Sequence, residues 1–193
     1  SKGENLKGRI GGRPTFRGFA HSSQREIYRP LVVFPFDKSS NYTEVFYMHN
    51  LIFDSHSHYD DDAFDSDREP FLPDLLSTVR AVLHASVDTK SMDFGIENSE
   101  KYKNFYTSVG FHPEAMDRLP DNPCEYLENL ICKKKGKIVA IGEIGLDYHY
   151  DGYDREAQIE LFENQLALAK KYDLPVIVHL RDATEDGLAL IRK

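Results

Sequence analysis

Residues 137–179 read KIVAIGEIGLDYHYDGYDREAQIELFENQLALAKKYDLPVIVH. Two β-rich apolar runs, 137–142 (KIVAIG) and 174–179 (LPVIVH), stand on either side of a helical pattern. Within 154–172, Ile159, Phe162, Leu166, Ala169 and Tyr172 fall at helical spacing, and Leu161 and Leu168 widen the stripe. Short apolar runs without clean alternation suit strands covered on both faces, and a helix between two of them is the connection that parallel strands require. This stretch therefore predicts a strand–helix–strand crossover.

Working outward, three more runs precede it: 50–55 (NLIFDS), 80–86 (RAVLHAS) and 104–110 (NFYTSVG). Helical patterns alternate with them at 70–79, at 88–103 behind Asp88 as a cap, and at 123–135, which stops at three lysines and Gly136. A last helix starts near Ala183. The order is strand then helix five times over, which predicts an α/β fold with a parallel sheet. No GxGxxG or P-loop follows the first strand, so the sequence offers no support for a nucleotide-binding Rossmann fold.

Composition narrows the class. The chain has 193 residues, 40% of them hydrophobic, with 12 Phe and 11 Tyr, enough to bury a sizeable core. Two cysteines, Cys124 and Cys132, are too few for a disulfide framework and fit no common zinc spacing, so a reduced, cytoplasmic chain is the default expectation. The longest apolar run near the N-terminus, Leu31 to Phe34, is far short of a membrane span. Net charge is −8, which argues against a basic nucleic-acid clamp, but it is unevenly spread. Residues 1–50 carry eight Lys/Arg against four Asp/Glu, a surplus of +4, and the remainder carries −12. Residues 1–48, rich in Gly, Arg and Ser, are read as a weakly structured basic extension, and residues 49–193 as the folded portion. A nuclear or organellar location enters only if that extension belongs to the mature protein.

The polar residues that end these runs are metal-competent. His56 and His58 are two apart on an extended segment, so both project to one side, where two imidazoles can share one cation; two ordinary surface histidines would look the same. His112, in GFHP, suits a ligand, a phosphate contact or a general acid–base. Glu143, set among glycines and apolar residues, is costly to bury unless a cation neutralises it. His179 closes the run at 174–179, and Arg181 suits either a phosphate oxygen or an ion pair with Asp182 or Asp147. His21, His49, His84 and His149 read as ordinary histidines, and Asp60–Asp62 as a solvated acidic loop beside the ligands. Recurrence at the same end of strands one, four and five puts three His and one Glu around one pocket, a set that suits Zn²⁺, Mn²⁺ or Mg²⁺.

The segments FDSHSHYDD (53–61), VGFHPE (109–114), AIGEIGLDY (140–148), QxxxFxxQLALA (158–169) and LPVIVHLRDA (174–183) together resemble the TatD-type metal-dependent deoxyribonucleases, in the same order and across about 49–193. The resemblance implies a TIM-type (β/α) barrel, of which only about five βα units are present, and a hydrolase that cuts phosphodiesters with two divalent ions (Mg²⁺, Mn²⁺ or Zn²⁺). It implies that His56 and His58 bind one ion, that Glu143 bridges two, and that His179 binds the second. His112 would lie at the scissile phosphate and Arg181 would hold the substrate, making Glu143 and His112 the candidate catalytic residues. DNA is the implied substrate. Few lysines and arginines are available for counterion release, so single strands or 3′ ends are expected over duplex. No membrane and no obligate protein partner are implied. A full barrel takes about 250 residues, so the 145 residues from 49 onward are expected to lack the C-terminal part, with its further metal-binding His and catalytic Asp. Another hydrolase of the same superfamily, acting on an ester, amide or lactone, or an inactive truncated fragment, are the alternatives.

Overall fold

The structure, a computed structural model, describes residues 52–133 and 138–193. The expected extension over 1–48, its boundary, His21 and His49, and the helix stop at Gly136 all lie outside the described residues. Among the described residues, five strands alternate with five helices: β1 (Phe53–Ser57), α1 (Arg68–Thr78), β2 (Ala81–His84), α2 (Thr89–Lys101), β3 (Phe105–Val109), α3 (Pro123–Lys133), β4 (Ile138–Asp147), α4 (Arg155–Tyr172), β5 (Val176–Arg181) and α5 (Thr184–Ile191). Short 3₁₀ turns at Asp62–Phe64 and Pro113–Arg118 follow β1 and β3. All pairings are parallel and the strand order is β1-β2-β3-β4-β5, so each strand lies beside its predecessor. This is the (β/α) architecture the alternation predicts, carried through five units of a TIM-type barrel.

Local chemistry sets the boundaries. Asp88 accepts the Ser91 N–H at 3.0 Å and Asp154 accepts the Ala157 N–H at 3.0 Å, capping α2 and α4. Asp173, in the left-handed region at φ 53°, ends α4. The apolar stripe of α4 meets the sheet as its spacing requires: Phe162 and Leu168 join Phe111, Leu127, Ile141 and Ile144 in the main core. A second core, under α1, gathers Leu72, Leu76, Val79, Val82 and Phe105.

Burial on both faces holds for β3 and β4 but not for β1 and β5, whose Phe53 and Val176 are exposed. Each of these two has one strand neighbour among the described residues, so only one side of its backbone is covered. The apolar run at 137–142 covers only the first part of the fourth strand, and β4 runs on to Asp147 because Ile144 to Asp147 pair with Val178 to Arg181. That extension keeps both Glu143 and Asp147 on rigid backbone.

Two buried glutamines of α4 fasten the strand ends. Gln165 accepts the Phe111 N–H at 2.8 Å and donates to the Phe111 carbonyl at 3.1 Å. Gln158 does the same for Asp147, at 2.8 and 2.9 Å. Each amide satisfies two backbone groups that water cannot reach, and leaving such a pair unmet costs about 2–6 kcal/mol. Among the described residues, no helix is long and apolar enough to cross a membrane.

Candidate metal centre

The C-terminal ends of β1, β3, β4 and β5 bring His56, His58, His112, Glu143 and His179 together. His56 Nε2 and His58 Nε2 are 3.1 Å apart, and they lie 3.2 and 3.5 Å from Glu143 Oε2. On the other side, His179 Nδ1 is 3.4 Å from Glu143 Oε1. The His112 and His179 rings meet edge to face at 4.2 Å. Two donor groups result, His56–His58–Glu143 and His112–Glu143–His179, each with its ligand atoms within 4.8 Å of one another. Glu143 is common to both.

Three atoms able to act as acceptors converge in the first group, and one proton between two of them leaves the third lone pair facing a neighbour. A cation satisfies all three at once, and ligands about 2.1 Å from a tetrahedral cation sit about 3.4 Å apart, close to the spacings here. The residues present therefore fit a divalent ion on donor chemistry and on spacing.

Charge follows from burial and contact. Burial alone would push the Glu143 carboxyl up, but hydrogen bonds from His179 and His56 outweigh it and hold the group well below the usual carboxylate range. The same contact with Glu143 raises His56, against the opposing effect of burial. Burial would lower His179, and its bonds to Glu143 and Asp147 turn the balance upward. His112 goes the other way: burial, reinforced by the nearby His179, lowers it to about 4.

Asp147 was read only as a possible partner for Arg181, and its position does more. It is buried, its Oδ2 is 2.8 Å from His179 Nε2, and its Oδ1 accepts the His149 N–H at 2.9 Å. The carboxylate thereby engages one ring nitrogen of His179 and turns the other toward Glu143, the usual orienting role of a second carboxylate. The signal was present in the sequence: Glu143 and Asp147 are four apart, hence on one side of a strand that continues through both.

Arg181 takes neither expected carboxylate as its hydrogen-bond partner. Its Nη1 donates to the Tyr150 hydroxyl at 3.1 Å, and the guanidinium sits 5.0 Å from the Tyr150 ring centroid. His149, read as ordinary, has Nδ1 2.8 Å from Asp182 Oδ2. His84 is a core residue against Phe94 and Phe105, and burial lowers it to about 4. Asp60 is not freely solvated: its Oδ1 lies 3.8 Å from His84 Nε2.

The TatD related DNase family model matches residues 53–193. An "uncharacterized metal-dependent hydrolase YabD" of Bacillus subtilis is 33% identical over 144 residues, covering 74% of this chain and 56% of that protein. "Deoxyribonuclease Tat-D" of Schizosaccharomyces pombe is 37% identical over 116 residues, 51% of this chain and 36% of that one. In three dimensions the chain is similar to the crystal structure of YJJV, a TatD homolog from Escherichia coli K12, with a TM-score of 0.67 and 31% identity over 72% of this chain and 54% of that chain. The chain thus spans about half the length of YabD and YJJV. With more than two thirds of its residues matched in sequence, and the same barrel strands in space, the chain belongs to the TatD-related DNase family.

Proposed function

We propose that this chain carries the N-terminal half of the active centre of a metal-dependent phosphodiester hydrolase acting on DNA, with two divalent ions (Mg²⁺, Mn²⁺ or Zn²⁺) and a preference for single strands or 3′ ends. The observation that carries the reading is the position of Glu143 between the His56–His58 pair on one oxygen and His179 on the other. A carboxylate placed so can hold two cations close together, the arrangement used to clamp the attacking and leaving oxygens of a phosphoryl group. When bound, the ions supply Lewis acidity, polarising the phosphate and making a water molecule acidic at neutral pH.

The side chains do the rest. His56 and His58 hold one ion, His179 the second, and Asp147 orients His179. The Glu114 N–H donates to His112 Nδ1 at 3.1 Å, so the neutral ring carries its proton on Nε2. Its lowered affinity for a second proton keeps it neutral near pH 7. Such a ring is a hydrogen-bond donor suited to a phosphate oxygen at the reacting centre. Arg181 offers a second, fully charged donor. The name of the S. pombe relative favours this substrate over the ester, amide or lactone alternatives, and cations at the centre would offset the acidic surplus of residues 51–193 in neutralising phosphate.

The direct test is digestion of an end-labelled single-stranded oligonucleotide and its blunt duplex with Mg²⁺, Mn²⁺ or Zn²⁺, against an EDTA control. Shortening of the single strand, abolished by EDTA and slower on duplex, is expected. Faster cleavage of intact duplex removes the strand preference, and no cleavage with any cation removes the nuclease reading.

Metal affinity should also depend on pH. His56 and His179 gain protons through contact with Glu143, so their folded values lie above 6.5. A cation must displace those protons, so binding weakens as pH falls through that range. Calorimetric titration is expected to show proton release and a dissociation constant about tenfold tighter at pH 8 than at pH 6. A pH-independent constant would remove these histidines from the ligand set.

A further inference from the structure

The loop that follows β4 is held through Tyr148, His149, Tyr153 and Asp154. The His149 N–H is held by Asp147 and its ring by Asp182. The Tyr148 hydroxyl donates to Asp186 of α5 at 2.8 Å, and Arg155 pairs with the same carboxylate at 2.6 Å. Tyr153 stacks on Tyr148, with centroids 4.8 Å apart and planes 12° from parallel. Tyr150 is the more exposed, at 56% against 42% for Tyr153, and the His149 ring meets it edge to face at 5.0 Å. Among the described residues, the tether of Tyr150 to another element is Arg181, which contacts the hydroxyl and the ring.

Tyr150 and Arg181 thus stand together beside the metal centre. Arg181 pairs in register with Asp147, and Gly145 with His179. Arg181 and His149 hold the Tyr150 ring, and the part of it left exposed is aromatic surface. Asp151 and Asp154 follow Tyr150 in sequence, so the loop has no surplus of positive charge to attract a phosphate backbone. Its affinity has to come from the ring. Unstacked nucleobases are recognised in this way, by aromatic and guanidinium planes.

We infer that Tyr150, with Arg181 beside it, forms a stacking platform for an unpaired nucleobase of the nucleotide next to the scissile phosphate. The inference rests on the nuclease reading above and deepens it, by naming what selects a single strand. A base within a duplex has both faces covered and cannot reach the platform. Arg181 then serves twice, with its ring contact fixing the tyrosine and its remaining N–H groups free to meet the flanking phosphate. Tyr150 is a positioning residue for the substrate, and its effect should fall on KM.

The test compares a single-stranded deoxyadenosine octamer with the same octamer made abasic throughout, using the protein and its Tyr150→Leu and Tyr150→Phe variants. For the unaltered protein, KM for the base-bearing strand is expected to be about 5- to 100-fold lower than for the abasic strand. Tyr150→Leu should erase that difference, and Tyr150→Phe should retain it, because the ring and not the hydroxyl does the stacking. Equal KM values for the two strands, or a difference that survives Tyr150→Leu, overturns the platform. A second measurement needs no turnover: in EDTA, an octamer carrying 2-aminopurine should be quenched by the protein and by Tyr150→Phe but not by Tyr150→Leu. Quenching without cleavage in any metal would sink the nuclease reading alone, whereas cleavage without quenching would sink the platform alone.

Discussion

Glu143→Gln should lower metal-dependent phosphodiester hydrolysis by more than about 100-fold, since removing even an outer partner of a metal ligand typically costs 10- to 100-fold. Glutamine keeps the shape of the side chain and removes its charge. The side chain is buried, with His56 and His58 on one oxygen and His179 on the other. A neutral amide can face those nitrogens with one oxygen but not two, so at least one of the two donor groups is broken. Bound metal, measured by elemental analysis after dialysis, should drop from two ions to one or none. The metal-free fold should survive, because the carboxylate is itself expensive to bury and its loss removes that cost along with the hydrogen bonds. Unaltered metal stoichiometry with full activity would exclude Glu143 as the bridge.

Gly145→Ala should be the most destabilising single-methyl change on β4. Gly145 has φ 152°, a conformation that residues with a side chain rarely adopt, and a Cβ there would lie 1.8 Å from the His179 carbonyl oxygen. The obstacle is backbone, so it cannot be relieved by rotating a side chain. Strained backbone costs about 1–3 kcal/mol and overpacking a further 1–3, together about 2–6 kcal/mol against a whole-domain stability of about 5–15. The denaturant midpoint should fall accordingly. Relief of the clash would move β4 and β5 apart at His179, so metal affinity should fall in whatever fraction still folds. Gly152→Ala makes the control: its φ is 85°, but nothing lies within 4 Å, so only the local backbone cost of about 1 kcal/mol applies. Equal midpoints for the two variants would show that the close approach at His179 is not what fixes glycine at 145.

Much of this was legible beforehand. Helical spacing in α4 announced the crossover, and the alternation around it announced a parallel sheet. The His-x-His pair, Glu143 and His179 were visible because strands set them at a common end, where periodicity alone says which side they share. The glycines beside Glu143 were visible too, and Gly145 is a place of close approach, against the His179 carbonyl. Three features were hidden for identifiable reasons. Asp147 lay past the apolar run at 137–142, and pairing with β5 keeps the backbone extended so far. Gln158 and Gln165 sat inside a helical stripe, and no spacing rule announces that an amide will clasp the backbone of another element. Arg181 had two carboxylates nearby in sequence and took a phenol instead, a choice made by how the loop after β4 folds back. Even that loop was within reach of inspection, since three tyrosines in six residues are unusual beside so many aspartates.

The sequential strand order has a kinetic consequence. Every strand docks beside the one before it, so the sheet can grow by short-range steps, each closing a modest loop. The metal centre cannot form that way. His56 and His179 are 123 positions apart (179 − 56) and belong to β1 and β5, and Glu143 joins them from β4. Their meeting closes the largest loop in the centre and waits for every strand between, the kind of long-range contact that sets slow folding rates. The site is then the last part of this sheet to assemble, and chains that have stalled earlier hold too few donors in place to capture a cation.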